Sequence, residues 1–404
     1  EISLMGIPTL TIISVLIPLV WVYLDANPSL YVHDALLTAM QSKSLRDDVF
    51  IKGTLQSPSR QRRRILGNNN LEGKTVWITG ASSGIGAEMA IQLTLAGVTR
   101  MVLSGRRKER LEEVAEICRQ ASEARENARG SKELMSECPE AFEVIIVPVD
   151  LAGGNEAIDT AVSDTLSAVG PSGIDILILN AGKYQLSPAL ETDVDSVLPE
   201  IMQLNFASSV QLSNKVIQAD RWKDQKNRRR RHIVVTSSVM SRGPNGLNAI
   251  YSASKHALRA YFQTLAAEER SWLRVDVACP GGTATELWDS AAASSSQNVE
   301  GNANGIKPYA DDRSKMDVQR CAQLVVSGMI GPGFLFHEMW ITNQPGLLWV
   351  YLSTYAPSIF RPMNDLIASL RVEIWRKNGS DPLYLPTLLR YLFLGDDATV
   401  KSKM

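Results

Sequence analysis

The stretch "KTVWITGASSGIGAEMAIQLTLAG", Lys74 to Gly97, changes character in its middle. "KTVWITG" (Lys74 to Gly80) is a short β-branched and aromatic run that stops at glycine, the pattern of a buried strand. "GIGAEMAIQLTLAG" (Gly84 to Gly97) then places Ile85, Met89, Ile91, Leu93 and Leu95 at apolar positions and ends on Gly97, a helix stop. Between the two lies "TGASSGIG", Thr79 to Gly86. Its glycines, Gly80, Gly84 and Gly86, let the backbone turn sharply and let a pyrophosphate approach the helix N-terminus. Free N–H groups and the helix dipole favour negative charge there. Glycines also make ordinary turns, but this turn sits directly between a strand and a helix, which points to a dinucleotide site.

Working outward, further strand-like runs follow: "RMVLS" (Arg100 to Ser104), "EVIIVPV" (Glu143 to Val149), "IDILIL" (Ile174 to Leu179), "HIVVTS" (His232 to Ser237) and "RVDVA" (Arg274 to Ala278). Helical stretches separate them. Strands alternating with helices predict an α/β fold, a doubly wound parallel sheet with both faces covered. "RQASEARENARGSKELMSE" (Arg119 to Glu137) reads as a charged helical extension before the third strand, and no internal repeat is visible. The second strand ends in "LSGRRKER", where a carboxylate would bind the ribose 2′-hydroxyl of NAD. Arg106 and Arg107 stand there instead, and a guanidinium suits the 2′-phosphate of NADP. A solvated basic helix start is the other reading of the same arginines.

"NAIYSASKHALRA" (Asn248 to Ala260) sets Tyr251 four residues ahead of Lys255. Residues four apart share a helix face. A nearby ammonium is expected to favour phenolate and to lower the phenol from its reference value of ~10. That would equip Tyr251 to exchange a proton with an alcohol or carbonyl oxygen. Alone such a pair is usually structural; beside a dinucleotide turn it suggests proton transfer coupled to hydride transfer.

On these residues the sequence resembles the short-chain dehydrogenase/reductase family. Thr79 to Gly86 matches its cofactor turn, Asn180-Ala181-Gly182 its Asn-Ala-Gly, and Tyr251 to Lys255 its Tyr-x-x-x-Lys. Ser238 stands thirteen residues before Tyr251, the spacing of the family's serine, and Asn205 in "QLNFASS" matches its asparagine, although Ser208 replaces a glycine often found nearby. Asp150-Leu151 matches the pair beside the adenine, and Pro280 to Thr285, "PGGTAT", the Pro-Gly segment beside the nicotinamide.

The resemblance implies a Rossmann fold and NADP held by Gly80, Ser82, Ser83, Gly84, Ile85, Gly86, Arg106, Asp150, Leu151, Asn180, Ala181, Gly182, Tyr251, Lys255, Pro280, Gly281, Thr283 and Thr285. It implies a catalytic set of Asn205, Ser238, Tyr251 and Lys255. In that set Tyr251 is the general acid or base, Lys255 holds the nicotinamide ribose and tunes the phenol, Ser238 bonds the substrate oxygen, and Asn205 holds a water linking Lys255 to solvent. The tail, with "DDRSKMDVQRCAQL" and "EMWITNQPGLLWVYLSTYAPSIF" (Glu338 to Phe360), is similar to the membrane-anchored dehydrogenase/reductase member 7 group, relatives of 11β-hydroxysteroid dehydrogenase. That likeness implies an endoplasmic-reticulum membrane protein acting on lipophilic carbonyls or alcohols such as steroids or retinoids, with a mitochondrial or other organellar membrane as the alternative. The basic loop "RWKDQKNRRRR" (Arg221 to Arg231) and the extension past Arg361 depart from the group.

The remaining chain sets the surroundings. From Ile2 to Leu24 there is no charge for 23 residues; a helix of that length spans about 34 Å, enough for a bilayer core. A transmembrane anchor over 1–24 is expected, with a buried core helix and a cleaved signal peptide as rivals. A connector over 25–70, a catalytic domain over 71–330 and a C-terminal helical extension over 331–404 complete the expected organisation. "SAAASSSQNVEGNANG" (Ser290 to Gly305) reads equally as a substrate lid or a loop, and "GLLWVYLSTYAPSIF" as a second membrane contact, a dimer helix or ordinary packing.

The formal net charge of −1 in 404 residues gives no argument for a nucleic-acid partner. Cys118, Cys138, Cys279 and Cys321 are far apart, which predicts free thiols, and His33, His232 and His337 form no metal pattern, so no metal is expected. A homodimer or a larger membrane assembly stays open. So does a second class of function, an accessory subunit of a membrane complex that keeps the fold and bound NADP(H).

Overall fold

The computed structural model describes residues 24–26, 71–129, 142–220, 222, 230–287, 315–331 and 338–378. The β-branched runs form strands because each presents apolar side chains to both faces, which only a sheet covered on both sides can bury. Among the described residues the strands are β1 (Thr75–Thr79), β2 (Arg100–Gly105), β3 (Glu143–Pro148), β4 (Ile176–Leu179), β5 (Arg231–Thr236), β6 (Leu273–Pro280) and β7 (Glu338–Ile341). They form one parallel sheet in the order β3-β2-β1-β4-β5-β6-β7. The register pairs Val76 with Met101 on one side and Ile176 on the other.

The helices are α1 (Gly84–Ala96), α2 (Lys108–Arg129), α3 (Gly154–Val169), α4 (Val194–Met202), α5 (Ser208–Ala219), α6 (Ala249–Glu268), α7 (Val318–Ile330), α8 (Gly346–Tyr355) and α9 (Pro357–Asn378). The period of two along each strand sorts them into layers. Val76 and Ile78 turn to one face, packed with Met89 and Leu93 of α1, Leu111 of α2 and Leu324 of α7. Trp77 turns to the other, packed with Ile158 of α3, Leu212 of α5 and Phe262 of α6. The chain winds outward from β1 in one direction and from β4 in the other. The crevice at the carboxyl ends of β1 and β4 is therefore the place where a ligand meets this sheet.

Two features of the sheet were not legible beforehand. β7 is four residues long, too short to announce itself, and it places the start of the expected 331–404 extension inside the sheet. Its outer side is covered by the beginning of the expected connector: Ala26 bridges Ile341, the Thr342 amide donates to the Asp25 carbonyl at 2.8 Å, and the Arg320 guanidinium donates to the Asp25 carboxylate at 2.9 Å. The expected anchor up to residue 23, the segment 290–305 read as lid or loop, most of the basic loop and the chain beyond Asn378 lie outside the described residues. Among the described residues no helix is long and apolar enough to cross a membrane. Cys118, Cys279 and Cys321 are free and buried, and Cys138 lies outside the described residues.

The amino ends of the strands, opposite the crevice, are fixed by buried ions. Asp276 pairs with His232 at 2.8 Å and with Arg274 at 2.6 Å, and Arg274 also donates to the Gly331 and Gly328 carbonyls at the end of α7. Burial pushes the Asp276 carboxyl up, but His232 and Arg274 overcome this and hold it below the ordinary carboxylate range. Removing one partner of such a group leaves the other charge buried and uncompensated. Asp276→Asn is expected to cost roughly 3–5 kcal/mol in urea unfolding followed by circular dichroism; a loss under about 1 kcal/mol would mean the cluster is solvated.

Candidate functional site

The turn between β1 and α1 is stitched to the end of β4. The Thr79 hydroxyl donates to the Ile178 carbonyl at 3.3 Å and accepts from the Asn180 and Ala181 amides at 3.0 and 3.3 Å. The Asn180 side-chain amide donates back to the Gly80 carbonyl at 3.3 Å. Two glycines permit this approach. Gly80 has φ of +65°, and a Cβ on it would lie 2.8 Å from the Ala181 Cα; a Cβ on Gly86 would lie 2.3 Å from the Gly80 carbonyl oxygen. Ser83 holds the N-cap position of α1 in an extended conformation without closing a side-chain cap. Its hydroxyl instead accepts from the Arg107 guanidinium at 3.0 Å.

A cavity of about 540 Å³ runs from this turn along the carboxyl ends of the strands. Every residue predicted from the sequence for cofactor or substrate lines it, with two exceptions: Gly86 and Asn205 stand one layer behind. One end is made by the first turn of α1, Arg106, Arg107 and Asp150, which caps the short turn at Leu151 by accepting from the Ala152 amide at 3.0 Å. The other end is walled by Tyr184, Met240, Leu287, Trp349 and Ile367, with the wholly buried Arg371 beside them. Trp349 and Ile367 belong to α8 and α9. The C-terminal helices reach the cavity through two close contacts: a Cβ on Gly243 would lie 3.0 Å from the Trp349 ring, and one on Gly246 would lie 3.0 Å from the Ala368 carbonyl oxygen.

Between the ends sit Ser238, Tyr251 and Lys255. Ser238 follows β5, and its hydroxyl accepts from the Met240 amide at 3.2 Å and lies 3.4 Å from the Pro280 carbonyl. Tyr251 and Lys255 occupy successive turns at the start of α6, 7% and 4% exposed. The Lys255 ammonium lies 5.8 Å from the Tyr251 ring centre and donates to the Thr236 carbonyl at 2.9 Å. Asn205 lies in a π-helical turn, Gln203–Ala207, between α4 and α5; such turns recur at functional sites. Its amide accepts from the Lys183 backbone N–H at 2.8 Å and donates to the Lys183 carbonyl at 2.9 Å and the Ser254 hydroxyl at 3.1 Å. It thereby fixes the chain just after Asn180-Ala181-Gly182, and the Ser208 hydroxyl turns back to the Leu204 carbonyl at 2.7 Å.

The electrostatics correct one expectation. The sequence pair predicts a lowered phenol, yet the Tyr251 phenol is raised. Burial is the largest cause, and the hydrogen bond from Ser238 opposes it only in part. Burial acts on Lys255 as well and lowers the ammonium from 10.5 to about 8. In a dry site loss of water outweighs the mutual effect of two groups on one helix face. Tyr184, packed edge-on to Tyr251 with ring centres 4.7 Å apart and accepting from the Asn248 amide at 3.1 Å, adds to the burial. Tyr184, Glu286 and Trp349 reach the cavity without any spacing signal, because elements distant in sequence carry them there.

The family model described as short chain dehydrogenase matches residues 74–128 and 123–296. Among curated proteins, the chain is 32% identical over 310 residues to "Dehydrogenase/reductase SDR family member 7" of Homo sapiens, covering 76% of this chain and 80% of that one. It is 32% identical over 306 residues to "Dehydrogenase/reductase SDR family member 7B" of Xenopus laevis, covering 75% and 84%. Among solved structures, an alcohol dehydrogenase from the archaeon Thermococcus sibiricus, complexed with 5-hydroxy-NADP, superposes with a TM-score of 0.52 at 20% identity, covering 67% of this chain and 97% of that one. At that identity the likeness speaks for the fold.

A buried ammonium has a stability signature. The folded value of about 8 lies below the ordinary 10.5, so between these two values the unfolded chain binds more protons and stability rises with pH. The cost of the buried charge is full below about 8 and is relieved above it. Lys255→Met is therefore expected to gain up to about 3 kcal/mol at pH 7, less what the altered packing costs. The gain should shrink as pH rises from about 8 towards 10.5; urea unfolding of both proteins across that range reads it, and a pH-independent difference refutes the lowered ammonium.

Proposed function

The chain belongs to the short-chain dehydrogenase/reductase family, and on that premise we propose that it transfers a hydride between NADP(H) and the carbonyl or alcohol carbon of a lipophilic small molecule. The observation that carries the reading is that Ser238, Tyr251 and Lys255 line one cavity together with the first turn of α1 and the apolar Met240, Leu287, Trp349 and Ile367. The donor set fits the dinucleotide. The first-turn amides of α1 face the cavity where a pyrophosphate would lie. Arg106 and Arg107 stand at the end of β2, where a 2′-phosphate would lie, and Asp150 and Leu151 where the adenine would. Asn180, Ala181, Gly182, Pro280, Gly281, Thr283 and Thr285 line the cavity where the nicotinamide end would lie. The bound cofactor supplies or accepts the hydride; the protein handles the proton and the geometry.

Burial moves the Tyr251 phenol further above the physiological range, so it stays protonated and is a proton donor as it stands, which suits carbonyl reduction. Ser238 donates to the same substrate oxygen and stabilises charge developing on it. Lys255 orients the cofactor ribose, and its low value leaves it able to pass a proton on. Asn205 holds the Lys183 backbone and so positions the wall beside the Lys255 ammonium, which would lie 3.4 Å from a Cβ at Gly182. Tyr184, Met240, Leu287, Trp349 and Ile367 suit an apolar substrate. Tyr251→Phe keeps the ring and loses the proton. It is expected to lower turnover of NADPH with lipophilic ketones or aldehydes by about 10²–10⁴ while NADPH binding persists. If the wild type binds NADPH yet reduces no member of such a panel, the accessory-subunit reading replaces this one.

Membrane anchoring by residues 1–24 is part of the same proposal. The uncharged segment ends where Leu24 packs against the core and Asp25 joins the end of β7. The exposed Leu348, Tyr355 and Ile359 lie on α8 and α9, the helices that follow that strand. A chain without residues 1–24 is expected to leave the membrane fraction on carbonate extraction; retention there would move the anchor to the C-terminal helices.

A further inference from the structure

Resting on the NADP(H) reading, we infer that Glu286 sets cofactor affinity by competing with the 2′-phosphate for the arginines of the β2–α2 corner. The residue follows the Pro280 to Thr285 segment, yet its carboxylate spans to the other side of the cavity. One oxygen lies 3.2 Å from both terminal nitrogens of Arg107, and the other accepts from Arg110 at 2.9 Å. The same Arg107 guanidinium donates to the Ser83 hydroxyl of the cofactor turn. Next to it, Thr285 presses on that turn: a Cβ on Gly84 would lie 3.2 Å from the Thr285 side chain. Ser83, Arg107, Thr285 and Glu286 all line the cavity.

The carboxylate therefore occupies the guanidinium surface that an incoming phosphate dianion would use. A carboxylate and a phosphate are alternative partners for one arginine fork, and both beside the same fork repel each other. A 2′-phosphate has to displace Glu286 from Arg107 or share the arginines at a cost. A ribose with a 2′-hydroxyl meets no such conflict. Glu286 thus lowers affinity for NADP(H) selectively, and displacing it frees the end of the 280–287 segment when the cofactor is phosphorylated. Arg107, Arg110 and Glu286 are each close to half exposed, so the penalty is modest. Exposed pairs of this kind correspond to about a two- to fivefold change in affinity.

The test titrates NADPH and NADH into the full-length protein and its Glu286→Gln variant, following energy transfer from tryptophan to the reduced nicotinamide. Glu286→Gln is expected to bind NADPH about two- to fivefold more tightly and NADH as the wild type does; Glu286→Ala repeats the result without the amide. A wild type that prefers NADPH, with Glu286→Gln unchanged or weaker for it, overturns this inference and leaves the NADP(H) reading standing. A gain for NADH equal to that for NADPH also overturns it, because the effect is then loop release and not competition at the phosphate. A wild type and a Glu286→Gln variant that each bind NADH as tightly as NADPH overturn both.

Discussion

Everything at the carboxyl edge of the sheet hangs on how closely two loops approach. The turn after β1 and the segment after β4 touch through backbone at Gly80, where no Cβ fits against Ala181; Gly86 packs as closely on Gly80 within the turn, and the Thr79 hydroxyl serves both chains at once. That contact fixes where α1 begins relative to Asn180-Ala181-Gly182. It therefore fixes the distance from the first turn of α1 to the wall beside Lys255. A Cβ on Gly80 would force the strand ends apart, and one on Gly86 would push α1 off the turn, because the atoms they meet are mainly backbone, which cannot move aside as a flexible side chain can.

The second constraint is water. Tyr251 and Lys255 are almost entirely withdrawn from solvent, and the same burial moves the two groups in opposite directions, the phenol up and the ammonium down. Both shifts make the neutral forms easier to keep, and the Lys255 shift is a stability cost at neutral pH that an apolar residue would avoid. The hydrogen bonds of Lys255 to Thr236 and of Asn205 to Lys183 hold these groups in one arrangement. Rigid placement of proton-handling groups lowers the reorganisation needed at the moment of reaction.

The C-terminal helices add a wall to the crevice. Trp349 and Phe360 pack together with ring centres 4.6 Å apart against Gly243, and α9 lies on Gly246, so the apolar end of the cavity is supplied by residues after the sheet is complete. The Arg242 guanidinium holds the first residue of β7 through both oxygens of Glu338 and stacks 5.7 Å from Trp340. The loop that follows Ser238 is thereby tied to the strand that leads into those helices. The apolar end of the cavity and the protection of the sheet edge thus share one set of contacts.

Much of this was legible in the residues. Glycines between a strand run and a helix run, the alternation of runs, and Tyr251 with Lys255 one helical turn apart specify local geometry, and local geometry needs only short-range sterics and periodicity. The winding of β1 to β6 and the gathering of nearly all predicted residues at one cavity follow from that pattern. β7 did not, because four residues carry too little periodicity and its place depends on the edge of β6. The sign of the Tyr251 shift did not either: the pair predicts attraction, whereas depth of burial is a property of the whole packed molecule. Nor did Arg107 meeting Glu286, which lies 179 residues further along the chain. Sequence determined the chemistry available and its local spacing; the tertiary structure decided its hydration and its distant partners, because desolvation and long-range ion pairing exist only once the layers have closed.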